Sequence, residues 1–168
     1  MRIAFYAPLK SPDHAVPSGD RAVARLFLRA LRKAGHRVQV ASRQRTFDGT
    51  GDAARQERIH RAGERLAGRY IGRNHAAPPD LWFTYHLYHK APDWIGPRVA
   101  AALGIPYVVA EASYAPKQAG GPWAAGYKAV SAALQAAASV VCLNPVDAEC
   151  IAGLLGGESR RQQADATE

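Results

Sequence analysis

Along this chain short apolar runs that read as strands alternate with longer stretches of helical periodicity. The first run, Arg2 to Pro8, opens at the N-terminus and breaks at Pro8 into a loop rich in Pro, Ser, Asp and Gly. Ala22, Leu26, Leu28, Ala30 and Leu31 then fall near 3.6-residue spacing, with Arg25, Arg29, Arg32 and Lys33 between them and Gly35 placed to end a helix. His36 to Ala41 alternates as a strand does. A polar loop over 43–51 leads to a weaker, arginine-rich helical pattern over 52–72 that Pro78 and Pro79 close. Leu81 to Tyr85 reads as a third strand, about Asp93 to Leu103 as a helix ending at Gly104, and Ile105 to Ala110 as a fourth strand rich in β-branched and aromatic residues. After a Gly/Pro loop an alanine-rich helix runs to about Ala138, followed by a fifth strand over Ser139 to Leu143. Asn144-Pro145 then starts a helix, with Asn as N-cap, Pro at the first helical position, and Asp147 and Glu149 in its positive-ended first turn.

Strands and helices of these lengths in alternation predict βαβ units with parallel pairing and right-handed crossovers. The expected fold class is α/β: a Rossmann-like open parallel sheet of about five strands with helices on both faces. In such a sheet ligands bind in the crevice beyond the carboxyl ends of the strands. Two polar clusters stand there: Tyr85, His86, His89 and Lys90 after the third strand, and Glu111, Ser113 and Tyr114 after the fourth.

At 168 residues, 48% hydrophobic and 21% charged, the chain has the size and balance of one soluble domain. The domain is expected over 1–155, with a disordered or non-native tail over 156–168, where periodicity fades. Cys142 and Cys150 belong to no ligand cluster or CxxC pair, so they read as buried, reduced thiols; neither a metal site nor a disulfide framework is expected. No run reaches the ~18 apolar residues of a membrane span and no signal peptide is evident, which places the chain in the cytoplasm with an option of peripheral attachment at the inner face of the membrane. The net charge of +8 is regional: residues 21–73 hold 14 Lys and Arg against 4 Asp and Glu, whereas the remainder holds 8 against 10. Such a face implies an anionic partner.

Ser18-Gly19-Asp20 sits at the start of the first helix, where free amides and the helix dipole suit a phosphate and glycine permits close approach; a cap beside a turn glycine is the plain structural alternative. Neither a G-x-G-x-x-G nor a G-x-x-x-x-G-K-[ST] motif is present. Glu111 is the candidate catalytic residue, since a carboxylate at a strand tip can orient or deprotonate a hydroxyl. Tyr85, His86 and Ser113 are candidate substrate-binding residues beside it. His86 and His89 lack acidic or Cys partners at ligand spacing and make poor metal ligands. Arg55, Arg58, Arg61, Arg65 and Arg69 recur every three or four residues beside Ile59, Leu66 and Tyr70, the pattern of a helix lying on an anionic membrane, although a solvated surface helix gives the same spacing. No nucleic-acid module appears.

The opening strand with its Ser-Gly-Asp turn, together with PDLWFTYHLYHKAPDW, GIPYVVAEASYAP and SVVCLNPVDAE, resembles the N-terminal, acceptor-side half of a GT-B glycosyltransferase of the family 4 type, over residues 1 to about 155. The resemblance implies transfer of a sugar from a nucleotide-sugar donor to a glycan or lipid-linked acceptor. It implies no cofactor beyond that co-substrate. Gly19 would match the glycine that approaches the donor diphosphate. Glu111 stands where many relatives carry a histidine, so orientation or base assistance is its implied role. Such enzymes carry their donor-binding residues on a second domain, so the chain is expected to be truncated or to work with a separate donor-binding subunit, and to be inactive alone. The alternative is a noncatalytic α/β binding module for an anionic membrane or glycan surface.

Overall fold

The structure, a computed structural model, describes the backbone of residues 1–165 and the side chains through residue 156. Five parallel strands form one sheet: β1 (Arg2–Tyr6), β2 (Arg37–Val40), β3 (Leu81–Leu87), β4 (Tyr107–Ala112) and β5 (Ser139–Val141), in the spatial order β2-β1-β3-β4-β5. The connecting helices are α1 (Gly19–Lys33), α2 (Ala53–Asn74), α3 (Gly96–Leu103) and α4 (Ala124–Gln135), and α5 (Pro145–Asp165) follows the last strand. The fold is α/β with a Rossmann-like open sheet. Within the span expected as a tail, 156–168, the backbone of α5 continues to Asp165, and the side chains from 157 on lie outside the described residues.

Strand alternation sorts the core into two layers. Ile3, Phe5, Phe83, Tyr85 and Ala110 point to one face, where Ala24 and Leu28 of α1 meet them. Ala4, Tyr6, Trp82 and Val109 point to the other, where they pack with Ala67 of α2, Val99 of α3, Val130 of α4 and Ile151 of α5. Helices therefore cover both faces, but α1 stands alone on its side among the described helices. The reason is topological: the chain steps from β1 to β2 in one direction, then returns past β1 and continues to β5 in the other, so right-handed crossovers put α1 opposite α2, α3 and α4.

The element ends have local causes. Gly35, at φ 85°, closes α1 as the sequence predicts; its amide bonds Arg32 O, and the His36 amide bonds Leu31 O. Gly104, at φ 63°, ends α3 in the same way, with the Ile105 amide donating to Ala100 O. This contact keeps Ile105 in the helix cap and starts β4 two residues later than the apolar run suggests. α3 begins at Gly96 rather than Asp93, because the Asp93 carboxylate accepts from the Ile95 and Gly96 amides at 2.8 and 2.7 Å and so caps the helix from outside it. Asn144 caps α5 as expected, its Oδ1 accepting from Val146 N at 3.0 Å. The thiols correct the sequence reading: both cysteines are free, but Cys142 is half-buried and Cys150 exposed, on the outer side of α5.

Candidate functional site

The reversal of strand order falls between β1 and β3, and the crevice beyond their carboxyl ends is where a doubly wound sheet binds its ligands. The loop after β1 and the start of α1 form one wall. The ends of β3 and β4 form the other. This order serves sheets of many functions, so it places a site without naming its chemistry.

β3 and β4 end unusually. β3 continues two residues beyond the apolar run, to Leu87, and Glu111 lies within β4 rather than past it. His86 has φ 62° and Glu111 φ 63°, the two non-glycine residues with left-handed backbone among the described ones. They are neighbours across the sheet, since Tyr85 pairs with Ala110 and Leu87 with Ala112 on either side of them. The kink lets both strands resume pairing after it, so Leu87 and Ala112 are buried again while His86 and Glu111 stay partly open to solvent. Left-handed backbone in two bulky residues costs free energy, and strain of this kind gathers at functional sites.

Asp20 comes from the opposite wall. Its Oδ1 lies 3.0 Å from His86 Nδ1, so the pair bridges the crevice. The contact is within ion-pair range but off the direction of the ring N–H, and the buried Nδ1 has no hydrogen-bond partner. Tyr85 sits below them, nearly fully buried against Phe27 at 5.2 Å between ring centroids. Burial, then the charges of Asp20 and Glu111, push its hydroxyl up to about 12. Asp20, Tyr85, His86 and Glu111 are thus brought together.

The other sequence candidates divide. Ser18 is the N-cap of α1, its Oγ accepting from Arg21 N at 3.2 Å. Gly19 is exposed, and a side chain there would meet no atom within 4 Å, so packing does not demand a glycine. The positive end of α1 is already faced by the chain's own Asp20 carboxylate, which weighs against a bare phosphate seat. Ser113 donates its amide to Leu87 O at 3.0 Å, tying the β4 exit to β3, and is half-buried.

The rest of the polar cluster after β3 extends the crevice, joined by Trp123, which the sequence reading had left out. From His86 a run of rings continues through Tyr88 (5.3 Å), His89 (5.5 Å) and Trp123 (5.9 Å), and Lys90 Nζ stands 4.3 Å over the Trp123 ring. Burial, with Lys90 and Lys117 nearby, lowers the His89 imidazole below its ordinary value, and its Nδ1 is buried without a partner. The dense alternation in YHLYHK was the signal available for this platform. Beneath it Asp93 is fully buried, accepting from Thr84 Oγ1 at 2.6 Å and Tyr107 OH at 3.1 Å as well as from the α3 amides. Burial nevertheless raises its carboxyl.

Of the arginines of α2, Arg55 lies nearest the ring platform, since Asp48, which it approaches, accepts from Trp123 Nε1 at 2.9 Å. Arg61 pairs with Glu57 at 2.6 Å and Arg55 approaches Asp48 at 3.7 Å, while Arg58, Arg65 and Arg69 are exposed with no carboxylate partner among the described residues. The apolar residues beside them are not free: Leu66 and Tyr70 pack against the core. Among the described residues no helix is long and apolar enough to cross a membrane, and no group of three His, Cys, Asp or Glu is placed to hold a metal ion.

No protein-family model matches the chain, and no curated protein matches it.

Proposed function

We propose that the chain supplies the acceptor-side wall of a glycosyl-transfer site, as the sequence resemblance to GT-B glycosyltransferases implies, with a nucleotide-sugar as donor and a glycan or lipid-linked molecule as acceptor. The observation that carries the reading is the strained His86 and Glu111 pair, side by side at the strand ends and faced by Asp20 across the crevice. A hydroxyl entering there meets carboxylate oxygens able to accept its proton or orient it, and an imidazole able to donate or accept. The adjoining rings of Tyr88, His89 and Trp123 offer apolar faces of the kind on which a sugar packs. Gly19 leaves room for a ligand group against the backbone at the start of α1.

Glycosyl transfer needs donor and acceptor held together away from water. A second, donor-holding wall therefore completes the reaction, supplied by another domain or subunit. The test is binding and transfer. Isothermal titration of the chain with a panel of glycosides and nucleotide-sugars, and transfer assays with candidate donor-binding chains added, are expected to show acceptor binding by the chain alone and transfer only with a partner. Glu111→Gln should abolish transfer with folding intact, and Gly19→Ala should leave thermal stability unchanged or higher while weakening ligand binding. Robust transfer by the chain alone, or Gln at 111 with full activity, overturns the reading.

The second reading, a noncatalytic module on an anionic membrane surface, is favoured by one observation, the unpaired Arg58, Arg65 and Arg69 on α2. The packing of Leu66 and Tyr70 into the core leaves only the electrostatic part of that attachment. Flotation with anionic vesicles that is lost in high salt and in R58E/R65E/R69E would support it.

A further inference from the structure

A groove of about 580 Å³ runs along α1 on its outer side, closed at one end by the loop after β1. Its lining is ordered into two rows. Arg21, Arg25, Arg29 and Arg32 form one, and Ala22 and Leu26 form the other. The first three arginines stand four residues apart, about 6 Å per step along the helix, and the four together span about 16 Å. Leu26 is 52% exposed, among the more exposed large apolar side chains.

Three of these guanidiniums are held by the backbone, and none of the four is neutralised. Arg21 donates to His14 O and Ala15 O, both at 3.0 Å, Arg25 to Pro12 O at 2.8 Å, and Arg32 to Val38 O at 3.2 Å. Backbone carbonyls fix the side chains while leaving further N–H donors free, so less ordering is lost when an anion binds. None of the four has a carboxylate within ion-pair distance among the described residues, and Asp13, the acidic residue of the groove, is taken by Arg43 at 2.8 Å. Residues 21–37 contain six Lys and Arg and no Asp or Glu. The charge is therefore open to a partner.

We infer that this groove docks an acidic amphipathic helix of a partner protein, its Asp and Glu residues at four-residue spacing meeting the arginine row and an adjacent apolar row meeting Ala22 and Leu26. Charge complementarity and the matching of two parallel rows with helical spacing select this occupant. A bilayer is flat where this surface is concave. No aromatic ring lines the groove to stack a base, as a single-stranded nucleic acid would require. The site is distinct from the crevice and does not depend on the proposed chemistry there.

The test uses the full chain and a synthetic helical peptide with Glu at every fourth position and Leu in the neighbouring row, against a scrambled peptide of identical composition. Fluorescence anisotropy should show binding of the patterned peptide that weakens on going from about 0.05 to about 0.5 M salt. R25E/R29E should weaken it about tenfold or more. Leu26→Ser should weaken the patterned peptide and not the scrambled one, and R58E/R65E on α2 should change neither. Circular dichroism checks that the variants, all at exposed positions, remain folded. Equal binding of both peptides, no binding of the patterned one, or tighter R25- and R29-dependent binding to phosphatidylglycerol vesicles or to single-stranded RNA would each overturn the proposal.

Discussion

If His86 and Glu111 are held in left-handed backbone by their surroundings, glycine at either position should give a more stable fold than alanine there. The suitable comparison is Glu111→Gly against Glu111→Ala, since both remove the same carboxylate and its contacts. An L-residue in this region costs about 1–2 kcal/mol relative to its ordinary conformations. Glycine avoids that cost but brings about 0.5–1 kcal/mol of extra freedom to the unfolded chain. The glycine variant should therefore exceed the alanine variant by roughly 0.5–1 kcal/mol. For a domain of this size that is a rise in melting temperature of about 1–4 °C. The same difference is expected between His86→Gly and His86→Ala. Because the two residues adjoin across the β3 and β4 pair, the double glycine variant should depart from simple addition. Thermal unfolding followed by circular dichroism, with calorimetry to confirm a single transition, measures all of these. A Glu111→Gly protein that melts at or below Glu111→Ala would refute the claim that the site stores backbone strain.

Asp93→Ala strands the Thr84 and Tyr107 hydroxyls and the Ile95 and Gly96 amides, and should cost at least about 3 kcal/mol in urea unfolding. Because burial raises its native carboxyl above the ordinary 3.8, the contribution of Asp93 is fully present below that value and is lost as pH rises through the native one; the advantage of wild type over Asp93→Asn should shrink in the same direction. The Tyr85 hydroxyl, held near 12 by burial and by the charges of Asp20 and Glu111, should titrate lower in Asp20→Asn and in Glu111→Gln, as read from the ring carbon shifts of labelled tyrosine. Gly126→Ala drives a methyl into the His89 carbonyl oxygen, a backbone atom that cannot swing aside, and should cost about 1–3 kcal/mol despite alanine's better helix propensity, as chemical denaturation would show.

Much of the architecture was legible because it rests on local rules. Pro8, Gly35 and Gly104 break the chain where periodicity says they should, and Asn144-Pro145 announces α5. The misplacements have tertiary causes. β3 runs to Leu87 because a left-handed His86 lets the strand resume pairing, and a polar histidine hides that in the sequence. Asp93 reads as an ordinary helix start, and only the packed structure shows its second oxygen serving Thr84 and Tyr107. At the site, the residue types at the strand ends pointed to Glu111 and His86 separately. Their adjacency depends on the β3 and β4 register, and the approach of Asp20 depends on the strand reversal, neither of which a local pattern encodes. On α2 the helical spacing was right, but the same spacing serves a core-packed face, which is where Leu66 and Tyr70 are.

Because α1 has a side of the sheet to itself, it lacks the flanking helices that brace α2, α3 and α4. Its seating depends on one layer, Ala24 and Leu28 together with the Phe27 ring on Phe83 and Tyr85. A rigid shift of a helix so lightly braced would carry its first turn along, altering the gap between Asp20 and His86 without disturbing the opposite layer. The crevice thus has one wall built as a slab and one built as a single rod, and amide exchange in the rod should outpace exchange in the slab.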